Sequence, residues 1–578
     1  MAMSSVPIKF VDQSPNVEVH LPDGRVLSGP RGAPVMAFLQ ALPERENPPI
    51  VGAVVNGELR ELTCPIVMEA TVRPVTMGEP DGMLIYRRSL TFLMDAAFDD
   101  LYSDGTLTID HSVASGGYYC HVMGRTPLSE DELADLEDHM NDLVKSDIPF
   151  EKNEVPIGEA VEYFKSKDHQ DKVRLLAHRR KDYLTLYRLR DHQDYHHGYM
   201  VPSTGYLRWF SLVRTDGGFT LRFPRRHRPT ELLPLPEYPK LLSTFRQYGD
   251  WLERLSISNV GALNDSIQAG RIRELILVSE ALHERYVAEV ASQIAALRKE
   301  SRLPRIILIA GPSSSGKTTL SQRLSIQLLS QGLSPFPLEM DNYFFDREKT
   351  PYNSNGERDF ESIKALDRRR LVNDLRRLVA GETVRLPRFN FRTGLREDGE
   401  KARLHTSQLI ILEGIHGLNP DLLPDLEPGQ AFRIYVSALT QLNLDSHNRI
   451  STTDTRLIRR IVRDASERGY SAKQTIQRWE SVRQGEKLNI FPYQENANVM
   501  FNSALAYELA ALKPLAEPLL RQVPPRTPEY VEAKRLLALL EWFLPLEADL
   551  IPDNSILREF IGGSILKEFR LWQNQLRD

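Results

Sequence analysis

Cysteine is nearly absent: Cys64 and Cys120 are the only thiols in 578 residues. They stand far apart and in no CxxC pattern, which argues against a disulfide framework or a thiolate zinc site and makes a reducing cytoplasm the expected location. Excess charge of one sign is lacking too. The 73 Lys and Arg are balanced by 78 Asp and Glu, a net charge of -5, so no global basic field advertises nucleic acid. No apolar run reaches the roughly 18 residues a membrane span needs. The most apolar stretches, IILIA at 306–310 and LIILEG at 409–414, are short and read as buried parallel strands. The opening MAMSSVPIKFVDQSPN has no basic segment followed by an apolar one, so neither a leader nor a membrane contact is expected. What remains is an ordinary globular composition, 41% hydrophobic and 26% charged, in a chain too long for one core. Three or more domains are expected.

The chain divides by pattern. VEVHLPDGRVLSG and IVGAVVNGELRELTCPI each carry a turn dipeptide between strand-like runs, with the helix-like APVMAFLQAL between them. This predicts a small β-grasp unit over 14–80. Residues 81–222 read as an α+β unit: helices at RRSLTFLMDAAFDDLY and DELADLEDHMNDLV, strands at TLTIDHSV, GYYCHVM, VRLLAHRRKDYLTLYRLRD and GYLRWFSLVRTDGGFTLRF. Five prolines between 223 and 240 suggest a semi-rigid linker, and a helical region runs to 299. An α/β domain is expected over 300–525, and a helical tail over 526–578.

The strongest motif is Gly311-Pro312-Ser313-Ser314-Ser315-Gly316-Lys317-Thr318, which meets GxxxxGK[ST] at every fixed position. A β-branched strand precedes it and an amphipathic helix follows, as a phosphate loop requires. Its amides can wrap a polyphosphate, with the helix N-terminus adding positive dipole. Lys317 can reach the β- and γ-phosphates, Thr318 can ligate Mg²⁺, and Thr319 extends the cradle. The chemistry points to ATP and Mg²⁺. Glu413 ends the run LIILEG, where a carboxylate that holds the metal belongs; a strand-terminal Glu in a loop is the competing reading.

On the acceptor side, PFPLEM leads to Asp341. Ligands gather at the carboxyl ends of parallel strands, so Asp341 is a candidate to accept the proton of an attacking hydroxyl. Tyr343 is a candidate acceptor contact. Phe389 and Phe391 alternate around Asn390 and can sandwich a planar base; an edge strand with core phenylalanines is the alternative. Arg456, Arg459, Arg460 and Arg463 share one helical face and Arg468 follows a turn later, which suggests a lid over the triphosphate.

At GPSSSGKTT, MDNYF, PRFNF, ILEGIHGL and TRLIRRIVRDASERG the chain resembles the uridine kinase / phosphoribulokinase family of P-loop kinases. The resemblance covers about 220 residues. It implies Asp341 as general base, Tyr343 as substrate contact, Phe389 and Phe391 flanking the base, and Arg459, Arg463 and Arg468 on phosphates. The acidic nucleoside contact is Glu357, Asp359 or Glu361, with Asp359 preferred. Pyrimidine-selective relatives carry a histidine where this chain has Gly394, which leaves a purine or modified nucleoside open.

The N-terminal half resembles the TGS domain and editing-type domain of threonyl-tRNA synthetase, down to VPSTGY at 201–206. The four editing positions are Arg88, Phe92, His196 and Met200 here, three of them changed in type, so editing chemistry is not expected. His111, Cys120, His121, His196 and His197 are the residues from which a metal site would be drawn. The combination resembles the long bacterial uridine kinase group and implies nucleoside salvage by a homo-oligomer. The alternatives are a P-loop kinase for a sugar phosphate or another alcohol, and a nucleotide-switched regulator that contacts RNA through the N-terminal half and the basic Pro224–Arg228 stretch.

Overall fold

The computed structural model describes residues 14–42, 48–113, 116–234, 237–299, 304–352, 356, 358–405, 408–426 and 429–568. In the C-terminal half, IILIA forms the central strand Ile306–Ala310, buried at every residue. Five parallel strands lie in the order Ser334–Glu339, Gln408–Glu413, Ile306–Ala310, Ala431–Ser437 and Val499–Asn502. Both faces are covered, which is why the inner strands Ile306–Ala310 and Gln408–Glu413 carry continuous apolar runs instead of alternating ones. Leu320, Leu324 and Leu328 of the helix Lys317–Ser330 cover one face, and Leu371, Leu375 and Leu378 of the helix Arg368–Val379 cover the other. In this register Glu339 lies beside Glu413, and Glu413 beside Ile309. The phosphate loop and the Asp341 turn therefore leave the sheet at the same, carboxyl, end of its strands.

The N-terminal residues form the expected β-grasp: five strands, with Asn16–His20 parallel to Ala70–Thr76, packed on the helix Val35–Gln40. Asn56 and Gly57 take φ of +51° and +85°, the left-handed pair that a tight hairpin demands. In the next unit a helix, Pro80–Leu101, packs with Glu130–Lys145, which opens on a reciprocal Ser129–Glu132 cap. The first helix starts at Pro80 instead of Arg87, because proline at its first position loses no hydrogen bond and Met83, Ile85 and Tyr86 already bury. The run VRLL, expected as strand, closes the helix Gln170–Ala177; Leu175 and Leu176 are its buried face. A strand, Tyr183–Leu189, follows.

Packing ignores the boundaries suggested by prolines. The helix Ile272–Lys299 lies along Lys317–Ser330, with Arg323 2.7 Å from Glu284. After the helix Pro528–Leu540 the chain continues as a strap whose Ile556 and Phe560 enter the same core. No described helix is long and apolar enough to cross a membrane.

Buried charges join the two halves. Lys172 pairs with Asp194, and His447 Nδ1 lies 2.7 Å from Asp194 and 3.1 Å from Asp95. His192 bridges Asp95 at 3.0 Å and Asp99 at 2.8 Å. Among the described residues, Asp95, Asp194 and His447 are the group close enough to share a cation, and the Lys172 ammonium already supplies positive charge there. Two of the histidines suspected as ligands have other occupations: His111 stacks on Phe245 with centroids 4.1 Å apart, and His121 pairs with Asp110 at 2.8 Å.

Candidate active site

The phosphate loop is shaped by two left-handed residues, Ser314 at φ +58° and Gly316 at φ +82°. A Cβ at Gly311 would run into the Val436 carbonyl, so only glycine fits there. Lys317 folds back, its Nζ 3.2 Å from the Pro312 carbonyl. The hydroxyls of Ser314 and Ser315 are buried without a partner, acceptors and donors that suit a polyphosphate.

Next to the loop, four carboxylates crowd the strand ends. The Thr318 hydroxyl donates to Glu413 Oε1 at 3.1 Å. Burial pushes Glu413 up to about 8, opposed by Lys317 and reinforced by Glu339, Glu559 and Asp341. Hard oxygen donors short of positive charge are the donor set Mg²⁺ prefers, so Thr318 and Glu413 fit the ion that the motif implies. Asp341 faces the same lysine. Burial raises its pKa, while Lys317, Arg468 and Arg463 pull it down. One carboxylate thus sits within the field of the cradle lysine and two arginines.

The helix Thr452–Arg463 carries the arginine face, followed by a π-turn at Asp464–Arg468 that ends at Gly469. The wide turn brings Arg468 back to Asp464 at 3.5 Å, where Arg463 also pairs at 3.1 Å. Arg460 reaches the Ser313 hydroxyl at 2.9 Å. Arg459 departs from expectation. It is 0% exposed, its Nε 2.6 Å from Glu508 and its Nη2 2.8 Å from the Ser503 carbonyl. A guanidinium so committed braces the loop from behind and does not face phosphate. Arg456 braces likewise, donating to the Ser313 carbonyl at 2.9 Å and pairing with Glu486.

On the acceptor side, the hairpin Val384–Asn390 and Leu395–Ala402 delivers the aromatic pair. Phe389 and Phe391 meet edge to face at 5.2 Å, and the Arg468 guanidinium lies 5.6 Å over Phe391. Phe391 is 46% exposed, so it is no core residue and is free to meet a planar ligand. Tyr343 does not join it. It is fully buried under the sheet, its phenol facing Asp374, because its side chain turns toward the apolar layer of Leu371 and Leu375. Asp359 spends an oxygen on the Glu361 amide at 3.2 Å, a local turn. Glu361 is the acidic residue that feels the cleft charges: burial, with Glu486 and Asp341, pushes it up to about 7, against the pull of Arg460 and Lys317. Glu357 lies outside the described residues. At Gly394, φ is +73° and the Arg347 side chain fills the space a larger residue would need.

Two further carboxylates escaped the sequence reading. Glu486 accepts from the Ser313 amide at 3.1 Å. Glu559, in the C-terminal strap, accepts from Thr319 N–H and Oγ1 at 3.1 and 2.8 Å. Neither belongs to a spaced motif, so no sequence signal marked them. A cavity of about 530 Å³ at Pro304–Ile306 opens at the opposite end of the sheet, away from this chemistry.

A strand, phosphate loop and helix with acidic strand ends, beside an arginine-bearing helix, define the fold of a P-loop kinase domain. Residues 306–509 match the model of the Phosphoribulokinase / Uridine kinase family, about a third of the chain. Among solved structures, a possible uridine kinase from Bacillus stearothermophilus is similar at 22% identity and a TM-score of 0.25, covering 37% of this chain and 99% of that one. Phosphoribulokinase from Rhodobacter spheroides is similar at 19% identity and a TM-score of 0.22, covering 34% and 70%. The N-terminal half matches threonine–tRNA ligases. That of Thermotoga maritima is 30% identical over 205 residues, 35% of this chain and 31% of the ligase. That of Halorhodospira halophila is 29% identical over 263 residues, 45% and 40%. The chain thus spans about a third of the length of the ligases it matches.

Proposed function

We propose that the chain is an ATP-dependent kinase that transfers the γ-phosphate of MgATP to the 5′-hydroxyl of a nucleoside, uridine or cytidine foremost, in the cytoplasm. One observation carries the reading: Asp341 shares the field of Lys317, Arg463 and Arg468, and Arg468 in turn lies over Phe391, the exposed member of the aromatic pair. The loop amides and Lys317 hold the polyphosphate. Thr318 and Glu413 would hold Mg²⁺, which when bound neutralises phosphate charge. Asp341 accepts the proton of the 5′-hydroxyl as its oxygen attacks the γ-phosphorus and ADP leaves. Arg463 and Arg468 stabilise the charge that spreads over the transferring group. Phe389 and Phe391 give the base a face to stack on, and Glu361 is the carboxylate closest to the role first given to Asp359.

The test is an acceptor panel with radiolabelled ATP: uridine, cytidine, adenosine, guanosine, ribulose 5-phosphate and pantothenate. A labelled nucleoside monophosphate is the expected product. Label confined to the sugar phosphate or to pantothenate would overturn the nucleoside assignment.

A further inference from the structure

A second cavity, of about 300 Å³, lies in the N-terminal half against the C-terminal helix Pro528–Leu540. Its volume is at the lower end of the roughly 300–1,000 Å³ typical of small-molecule sites. Cations dominate its walls, and most are neutralised. Lys152 pairs with Glu61 at 3.0 Å, Lys181 with Glu541 at 2.7 Å, Lys534 with Glu58 at 2.9 Å and Arg535 with Asp454 at 2.7 Å. Arg88 and Arg179 differ. Among the described residues neither has a carboxylate at ion-pair distance. Arg88 donates to the Tyr199 carbonyl at 2.7 Å, and Arg179 lies 4.3 Å over the Trp542 ring.

The rest of the wall is aromatic and fixed. Trp542 Nε1 donates to His197 Nδ1 at 3.2 Å, which sets the indole plane, and its ring lies 5.4 Å from that of Tyr195. His196 also lines the cavity. It is 6% exposed and its Nε2 has no partner, an unusual state for a buried polar atom. Burial pushes His196 down to about 3, so the ring is neutral and offers a hydrogen bond without charge.

From two guanidinium groups that form no ion pair among the described residues, an immobilised indole and an unpartnered buried imidazole around one cavity, we infer a second ligand site that takes a nucleoside 5′-monophosphate. The arginines suit the phosphate, Trp542 suits the base, and His196 suits a ring or sugar polar group. This site is separate from the phosphate loop, and it is closed on one side by Trp542, outside the family-matched kinase segment.

The experiment uses the full chain with its kinase cleft filled by excess Mg²⁺, a non-hydrolysable ATP analogue and uridine. Radiolabelled AMP, GMP, CMP and UMP are then titrated by equilibrium dialysis, with tryptophan fluorescence recorded in parallel. At least one monophosphate is expected to bind once per chain and to change the fluorescence. Arg179→Gln and, separately, Arg88→Met should weaken that binding by about tenfold or more, leave binding of the ATP analogue unchanged, and keep the native melting profile. Trp542→Phe should remove the fluorescence change. The proposal is overturned if no monophosphate binds once the cleft is filled, if both folded arginine variants bind as the parent does, or if only an RNA 3′ end binds.

Discussion

The Glu559 carboxylate accepts hydrogen bonds from both the backbone amide and the hydroxyl of Thr319, at 3.1 and 2.8 Å. Thr319 is the third residue of the phosphate-loop helix, so its amide is one of the free N-terminal donors on which a phosphate would land. The strap therefore sets a negative charge against the cradle. Glu559→Gln is expected to lower the KM for ATP several-fold with little change in kcat, measured at saturating acceptor. A KM that stays put or rises would assign Glu559 to capping the helix alone.

Arg459 and Arg468 separate by role. Arg459→Ala leaves Glu508 buried and unpaired, which should cost about 3–5 kcal/mol in urea unfolding. Arg468→Ala removes a partly exposed group over Phe391 and should leave stability nearly unchanged, while kcat/KM falls by about tenfold or more. Equal loss of stability in both variants would contradict this division.

Tyr343→Phe deletes a hydroxyl that faces Asp374 beneath the sheet. The acceptor KM should not change. A rise of about tenfold would return Tyr343 to the acceptor pocket.

A buried histidine next to the contact between the halves makes stability depend on pH. Asp95 and Asp99 raise His192 from 6.5 to about 9 against the effect of burial. Because the folded value lies above the unfolded one, this stabilisation is complete below pH 6.5 and is lost as pH rises through about 9. Unfolding free energy should fall across that window, and His192→Gln should flatten the slope. Identical slopes in the two proteins would remove His192 from the account.

Local features were legible because local physics sets them: the phosphate loop between strand and helix, the Asn56-Gly57 turn, the apolar runs of the parallel sheet. What stayed hidden depends on contacts far apart in sequence. Arg459 and Arg463 share one helical face by spacing, yet Glu508, 49 residues beyond Arg459, takes one of them out of the cleft. Glu559 reaches Thr319 across 240 residues, from a segment that reads as a plain tail. Asp359 and Glu361 differ by two positions, and local hydrogen bonds set them apart: the Asp359 amide donates to the Pro351 carbonyl and its carboxylate caps the Glu361 amide, while Glu361 feels Lys317 and Arg460.

The relation between the amide cradle and Asp341 is tested most directly with Asp341→Asn. ATP binding by equilibrium dialysis should stay within about twofold of the parent, while phosphoryl transfer to the nucleoside falls by about 10²-fold or more, the usual loss when a general base is removed. Transfer at the parental rate by a variant that binds ATP normally would contradict the assignment of Asp341 as the base.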